Sequence, residues 1–136
     1  MDLSAHKVDP KLEQEGVWNT IDLETRVLVA RWMNPKHEAY IRKFGKPLQQ
    51  AMKMGALSTE AENKLKVESM VSCILLGWEG MKANGEELVY SPEEARNILS
   101  DPELSWFTDL VETFSRDLSM YKLETDLAMV EDIKKS

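Results

Sequence analysis

The run MVSCILLGW, from Met70 to Trp78, is the longest apolar stretch of the chain and lies near its middle, closed by Glu79-Gly80. It is far short of the about 20 residues that a membrane-spanning helix needs. Upstream, Thr59 and Glu62 stand at capping-box spacing. Ala61, Leu65 and Ser69 then fall near one face, and Val71, Ile74, Leu75 and Trp78 continue it. The pattern predicts a central helix over about 59–78. It starts amphipathic and becomes apolar nearly all round, as a helix does on entering a core. Gly77 and Gly80 then permit tight bends or a left-handed residue at the helix end. Trp78 between them is expected to fold back over the apolar end as an aromatic lid.

The segments on either side are heavily punctuated. Val17, Trp18 and Ile21, then Val27 to Trp32, are largely β-branched or aromatic. They predict two short strands, about 16–21 and 26–32, joined by a turn at Asp22–Thr25. Asn34-Pro35 starts a helix that carries Tyr40, Ile41 and Phe44 and that Gly45 can stop. Pro47 opens a second helical piece ending near Gly55. Beyond the apolar run, Asn84-Gly85 signals a turn and Leu88–Tyr90 a short extended piece. Ser91-Pro92-Glu93-Glu94 is a full helix start. Asp101-Pro102 caps another helix, with Leu104, Phe107, Leu110, Val111, Phe114 and Leu118 at spacings of three and four. It ends near 122 or runs on through Leu123, Leu127 and Val130 to Lys134.

These elements predict an α+β fold, mainly α, in which a short N-terminal β-hairpin packs on a bundle of about four to five helices. At 136 residues one domain is expected. Residues 1–15 read as a loosely ordered arm, 16–122 as a single globular mainly helical domain, and 123–136 as a helical extension or tail.

No catalytic constellation is visible, and no cofactor or metal set is expected. There are two histidines and one cysteine, too few for a structural zinc set. Cys73 lies among Val71, Ile74 and Leu75, a setting for a buried structural thiol rather than a nucleophile. The glycines of GWEGMKANG lack a Walker lysine motif and follow a predicted helix rather than a strand. The N-terminus has no charged-then-apolar signal layout, which argues against export.

The net charge of −7 disfavours nucleic acid as a main partner. Residues 1–66 sum to +2 and residues 67–136 to −9. The basic side chains concentrate between Arg31 and Lys53. Arg42, Lys43 and Lys46 are therefore candidates for self-association with the acidic half of another copy. Trp78 admits two readings, a core anchor or part of a partner site. The methionines are mostly core filler, yet Met52, Met54, Met70 and Met81 flank loops and helix ends, where soft side chains suit a groove for apolar helices. Leu75, Trp78, Met81, Tyr90, Met52 and Met54 form the candidate partner surface.

The order of parts resembles the tail assembly chaperones of long-tailed bacteriophages. The matching positions are Gly77, Trp78, Glu79, Gly80, Tyr90, Ser91, Glu94, Leu99 and Pro102. Val27 to Trp32, Asn34-Pro35 and Lys46-Pro47 match upstream, so the resemblance spans about residues 16–118. It implies a non-enzymatic assembly factor of the host cell cytoplasm, absent from the mature virion. Such a factor binds the tape measure protein, keeps it soluble, and promotes polymerisation of tail tube protein around it, often through a longer frameshifted form. It also implies a homo-oligomer that binds neither nucleic acid nor membrane. The alternatives are a head–tail joining or tail completion protein, and a helical bacterial adaptor.

Overall fold

A computed structural model describes residues 1–53, 55 and 59–122 of the chain. In order the elements are α1 (Pro10–Glu15), β1 (Val17–Thr20), β2 (Arg26–Val29), α2 (Pro35–Lys53), α3 (Thr59–Cys73), β3 (Leu75–Glu79), β4 (Lys82–Ala83), β5 (Glu86–Glu87), α4 (Pro92–Ser100) and α5 (Ser105–Arg116). The fold is α+β and mainly α. The expected hairpin is present and gains a third strand, giving an antiparallel sheet in the order β1-β2-β3. The β4–β5 pair forms a separate small hairpin.

The principal departure from expectation is the end of the central helix. The helix stops at Cys73, and the last five residues of the predicted span and its border, Leu75–Glu79, are strand β3. An apolar run without alternation suits a buried strand as well as a buried helix, so periodicity alone cannot separate the two. The tertiary context decides: β2 offers a free edge, and β3 pairs with it as Val27↔Trp78 and Leu28↔Gly77. The register slips by one residue before Val29↔Leu75, which leaves Leu76 as a bulge. Sheet and helices then share one core. Val27, Val29, Met70, Ile74, Leu75 and Val111 are completely buried, with Trp78 and Phe107 almost so.

Two further expectations are modified. The helix from Asn34-Pro35 is not stopped at Gly45; it continues through Gly45 and Pro47 to Lys53. Pro47 cannot donate a backbone hydrogen bond four residues back, yet the flanking turns carry the helix across it. The segment read as a loose arm holds a short 3₁₀ turn, Leu3–His6, and α1. Asp9 caps α1 through the Lys11 amide, with Pro10 at its first position. A six-residue helix is too short to show a sustained period, so the Asp9-Pro10 pair is its one local mark. It is tied down where Arg31 meets Glu13 at 3.1 Å and where Asp9 N–H donates to the Tyr121 carbonyl. The predicted extension over residues 123–136 lies outside the described residues.

One buried polar cluster fixes the start of α2. His37 is completely buried. Its Nδ1 accepts the Met33 amide at 3.0 Å, and its Nε2 lies 3.2 Å from Ser69 Oγ. Ser69 already donates its hydroxyl to the Lys66 carbonyl, so the imidazole carries its proton on Nε2 and is neutral. The amide it accepts belongs to Met33, a non-glycine residue at φ +61°. The ring thus secures a strained backbone turn between sheet and helix. Asn34 completes the cluster by accepting the His37 amide and donating to the Arg31 and Cys73 carbonyls.

Candidate partner-binding groove

At the end of the sheet where β1 turns into β2, three separate segments enclose an apolar groove of about 420 Å³. The first is the β1–β2 turn with Ile21. Asp22 closes it by accepting the amides of Glu24 and Thr25 at 2.9 and 2.8 Å. Those hydrogen bonds, the Glu24 amide foremost, hold its carboxyl below the ordinary range. The second segment is β4–β5 with Met81 and Leu88. The third comprises Ile98 of α4 and the Leu104–Phe107 step into α5. Ile21, Met81, Leu88 and Ile98 are partly buried against the core. Phe107 is nearly closed off at 3% exposure, whereas Trp106 stands 57% exposed.

The GWEG element builds this groove from behind. Gly80 has φ +75°, and a Cβ there would overlap the Glu24 carbonyl, so only glycine lets the β1–β2 turn approach β3. Thr25 Oγ1 donates to the Gly80 carbonyl at 3.2 Å across the same contact. Trp78 lies inside, with its Nε1–H donating to the Leu88 carbonyl at 2.7 Å. Its ring meets the Tyr90 ring edge to face at 4.9 Å, and Tyr90 donates its hydroxyl to the Leu75 carbonyl at 2.7 Å. Leu88 in turn donates its amide to Met81. The Asn84-Gly85 turn adopts positive φ at both residues, as a two-residue hairpin requires. Trp78 is therefore a strut that holds the β4–β5 hairpin against β3.

Several candidate residues change role accordingly. Leu75 and Trp78, candidates for the partner surface, are 0% and 6% exposed and face the core. Of the two readings of Trp78, the strand supports the core anchor. Tyr90 is half-buried and braces Trp78. Met81 alone of the described candidates lines the groove. Met54 and the side chain of Met52 lie outside the described residues. Arg42, Lys43 and Lys46 are exposed on α2, away from the groove lining. Arg42 pairs with Glu38 at 2.6 Å, and Lys43 Nζ stands 5.3 Å from the centre of the exposed Phe44 ring. Trp106 was missed in sequence. Its signal is a tryptophan next to, rather than on, the Leu104–Phe107–Val111–Phe114 stripe of α5.

The groove rim is acidic. Asp22 and Glu24 line it, Glu87 and Glu103 immediately precede the lining residues Leu88 and Leu104, and Glu86 lies beside Glu87 on β5. Lys82 is the basic residue of the lining; it reaches Glu24 at 3.5 Å and stands opposite Glu87 in the hairpin. A second, larger cavity of about 540 Å³ lies between α3, α4 and the start of α5. Its walls carry charges of both signs, with Arg96 bidentate on Glu68 at 2.6 and 3.1 Å.

Among the described residues no group of three or more His, Cys, Asp or Glu could hold a metal ion. Cys73 is buried, and burial pushes its thiol pKa up, which keeps it protonated. No helix among the described residues is long and apolar enough to cross a membrane.

In comparisons with known proteins, the family described as YdaY prophage protein matches over residues 32–132. That span includes β3, the β4–β5 hairpin, α4 and α5, and hence most of the groove. No curated protein and no solved structure gives a significant match.

Proposed function

Since the chain belongs to the YdaY prophage protein family, we propose that it serves phage morphogenesis as a non-enzymatic tail assembly chaperone. Its client is the tape measure protein, a long chain whose apolar helix faces need cover until tail tube subunits polymerise around it. The observation that carries this reading is the open apolar groove with Trp106 exposed at its mouth. Isolated apolar side chains on a surface are ordinary, but an apolar trough with an exposed tryptophan is a feature of partner sites. Helix-in-groove recognition needs a preformed trough and tolerance of varied side chains. Met81 supplies the soft wall, and the Trp78–Leu88 bond supplies the rigid one.

On this reading the protein acts in the host cytoplasm and leaves before the virion is complete. It meets tail tube protein through a longer form of the chain. Copies associate along the client through the basic face of α2, where Lys43 and Lys46 are exposed. Co-expression with the tape measure protein of the same prophage tests the reading. The wild-type chain is expected to move that client into the soluble fraction, and Trp106→Asp, on the surface, to abolish the effect without unfolding the chaperone. Equal client solubility with wild type, with Trp106→Asp and with no chaperone would refute it.

A further inference from the structure

We infer that the groove selects a basic amphipathic helix, one carrying Lys or Arg on both sides of its apolar stripe; this rests on the groove being the client site. Its floor is apolar, set by Ile21, Met81, Leu88 and Ile98. Asp22 and Glu24 line the groove, Glu87 and Glu103 are next in the chain to the lining residues Leu88 and Leu104, and Glu86 adjoins Glu87, whereas Lys82 is the one cation of the lining among the described residues. Lys82 faces two of those acids already, Glu24 at 3.5 Å and Glu87 across the hairpin. Glu86, Glu87 and Glu103 are exposed and make no ion pair among the described residues. A helix with acidic flanks would add like charges to this rim. A basic one would meet partners on both banks.

The larger cavity beside α3 makes the contrast clear. There both signs line the walls, with Lys64, Lys66 and Arg96 among Glu60, Glu68, Asp101 and Asp109, and Glu68 and Arg96 pair with each other. Beside the groove the excess charge is acidic, and Glu86, Glu87 and Glu103 hold no ion pair among the described residues. That charge therefore acts on which helix is accepted, while the apolar floor supplies the general affinity. The same rim explains how an open trough stays solvated when empty: its banks repel copies of themselves.

The test uses the full-length chain and three fluorescein-labelled helical peptides. All share one leucine stripe, flanked by Lys, by Gln or by Glu. At low salt, fluorescence anisotropy is expected to rank Lys tightest, about tenfold over Gln, with Glu weakest, the scale of a few exposed ion pairs. The spread should close in high salt. The triple variant Glu86→Lys, Glu87→Lys, Glu103→Lys should reverse the order. Equal binding of the three peptides at low salt, with Trp106→Asp abolishing all of it, would overturn the charge selection and leave the groove as the site. No binding by any peptide, or binding indifferent to Trp106→Asp, would overturn the groove itself. If instead the peptide-free chain gains mass with concentration and Trp106→Asp reverses that, the occupant is a second copy and the inference fails.

Discussion

Replacing Trp78 with alanine separates a core strut from a partner contact. The side chain is 6% exposed and packs among Val27, Leu88 and Tyr90. Truncating a buried tryptophan to alanine costs about 3–5 kcal/mol. The Leu88 carbonyl also loses its donor, and a buried acceptor left unpaired adds about 1–3 kcal/mol where water cannot enter. The loss is therefore about 4 kcal/mol or more, a large share of the roughly 5–15 kcal/mol that stabilises a domain. With a urea slope of about 1.5–2 kcal/mol/M, the unfolding midpoint should fall by about 2–2.7 M or more. Trp78→Phe keeps most of the packing and loses only the indole N–H and part of the volume, so it should shift the midpoint about half as far. Equilibrium urea unfolding followed by far-ultraviolet circular dichroism measures both. A midpoint unchanged in Trp78→Ala, combined with lost client binding, would show Trp78 to be a surface contact and refute the strut.

Acidification should weaken the fold through His37, whose pKa is pushed down by burial and, secondarily, by Arg116. The neutral ring is bound in the folded state. Stability is thus fully present above the unfolded-state pKa of about 6.5 and is lost as pH falls through the lower folded value. Thermal melts should be flat above that point and decline below it, and His37→Gln should remove the decline. Gly80→Ala should destabilise by about 2–4 kcal/mol, because a Cβ meets the Glu24 carbonyl at a positive φ; a wild-type melting temperature would contradict the close approach. On α2, Lys43→Glu with Lys46→Glu should reduce any self-association seen in sedimentation, and salt should do the same to wild type. Mass that is independent of both would exclude α2 as the docking face.

Local signals were legible wherever one residue type has one job. Ser91 caps α4 by accepting the Glu94 amide at 3.1 Å, with Pro92 at the first position, as its sequence announces. Asn84-Gly85 turns the small hairpin, and Asp101-Pro102 caps a 3₁₀ turn that leads into α5. Residues 75–79 were misread because an apolar run with no alternation carries no period, and only the vacant edge of β2 makes it a strand. Gly45 read as a stop and Pro47 as a fresh start, yet α2 is one helix, because packing of α2 on α3 overrides local propensity. The groove was illegible for a different reason. Ile21, Met81, Ile98 and Trp106 come from three segments that only the tertiary fold brings together. The motif that drew attention in sequence, Gly-Trp-Glu-Gly, builds the wall of the site rather than its face.

Hydrogen–deuterium exchange of the chain with and without its tape measure client is the most direct measurement. Slowed exchange at residues 81–88 and 104–107, with α2 unaffected at low occupancy, is the outcome expected of a client seated beside Trp106. Protection confined to other surfaces, with those two stretches exchanging as in the free chain, would contradict the assignment of the groove.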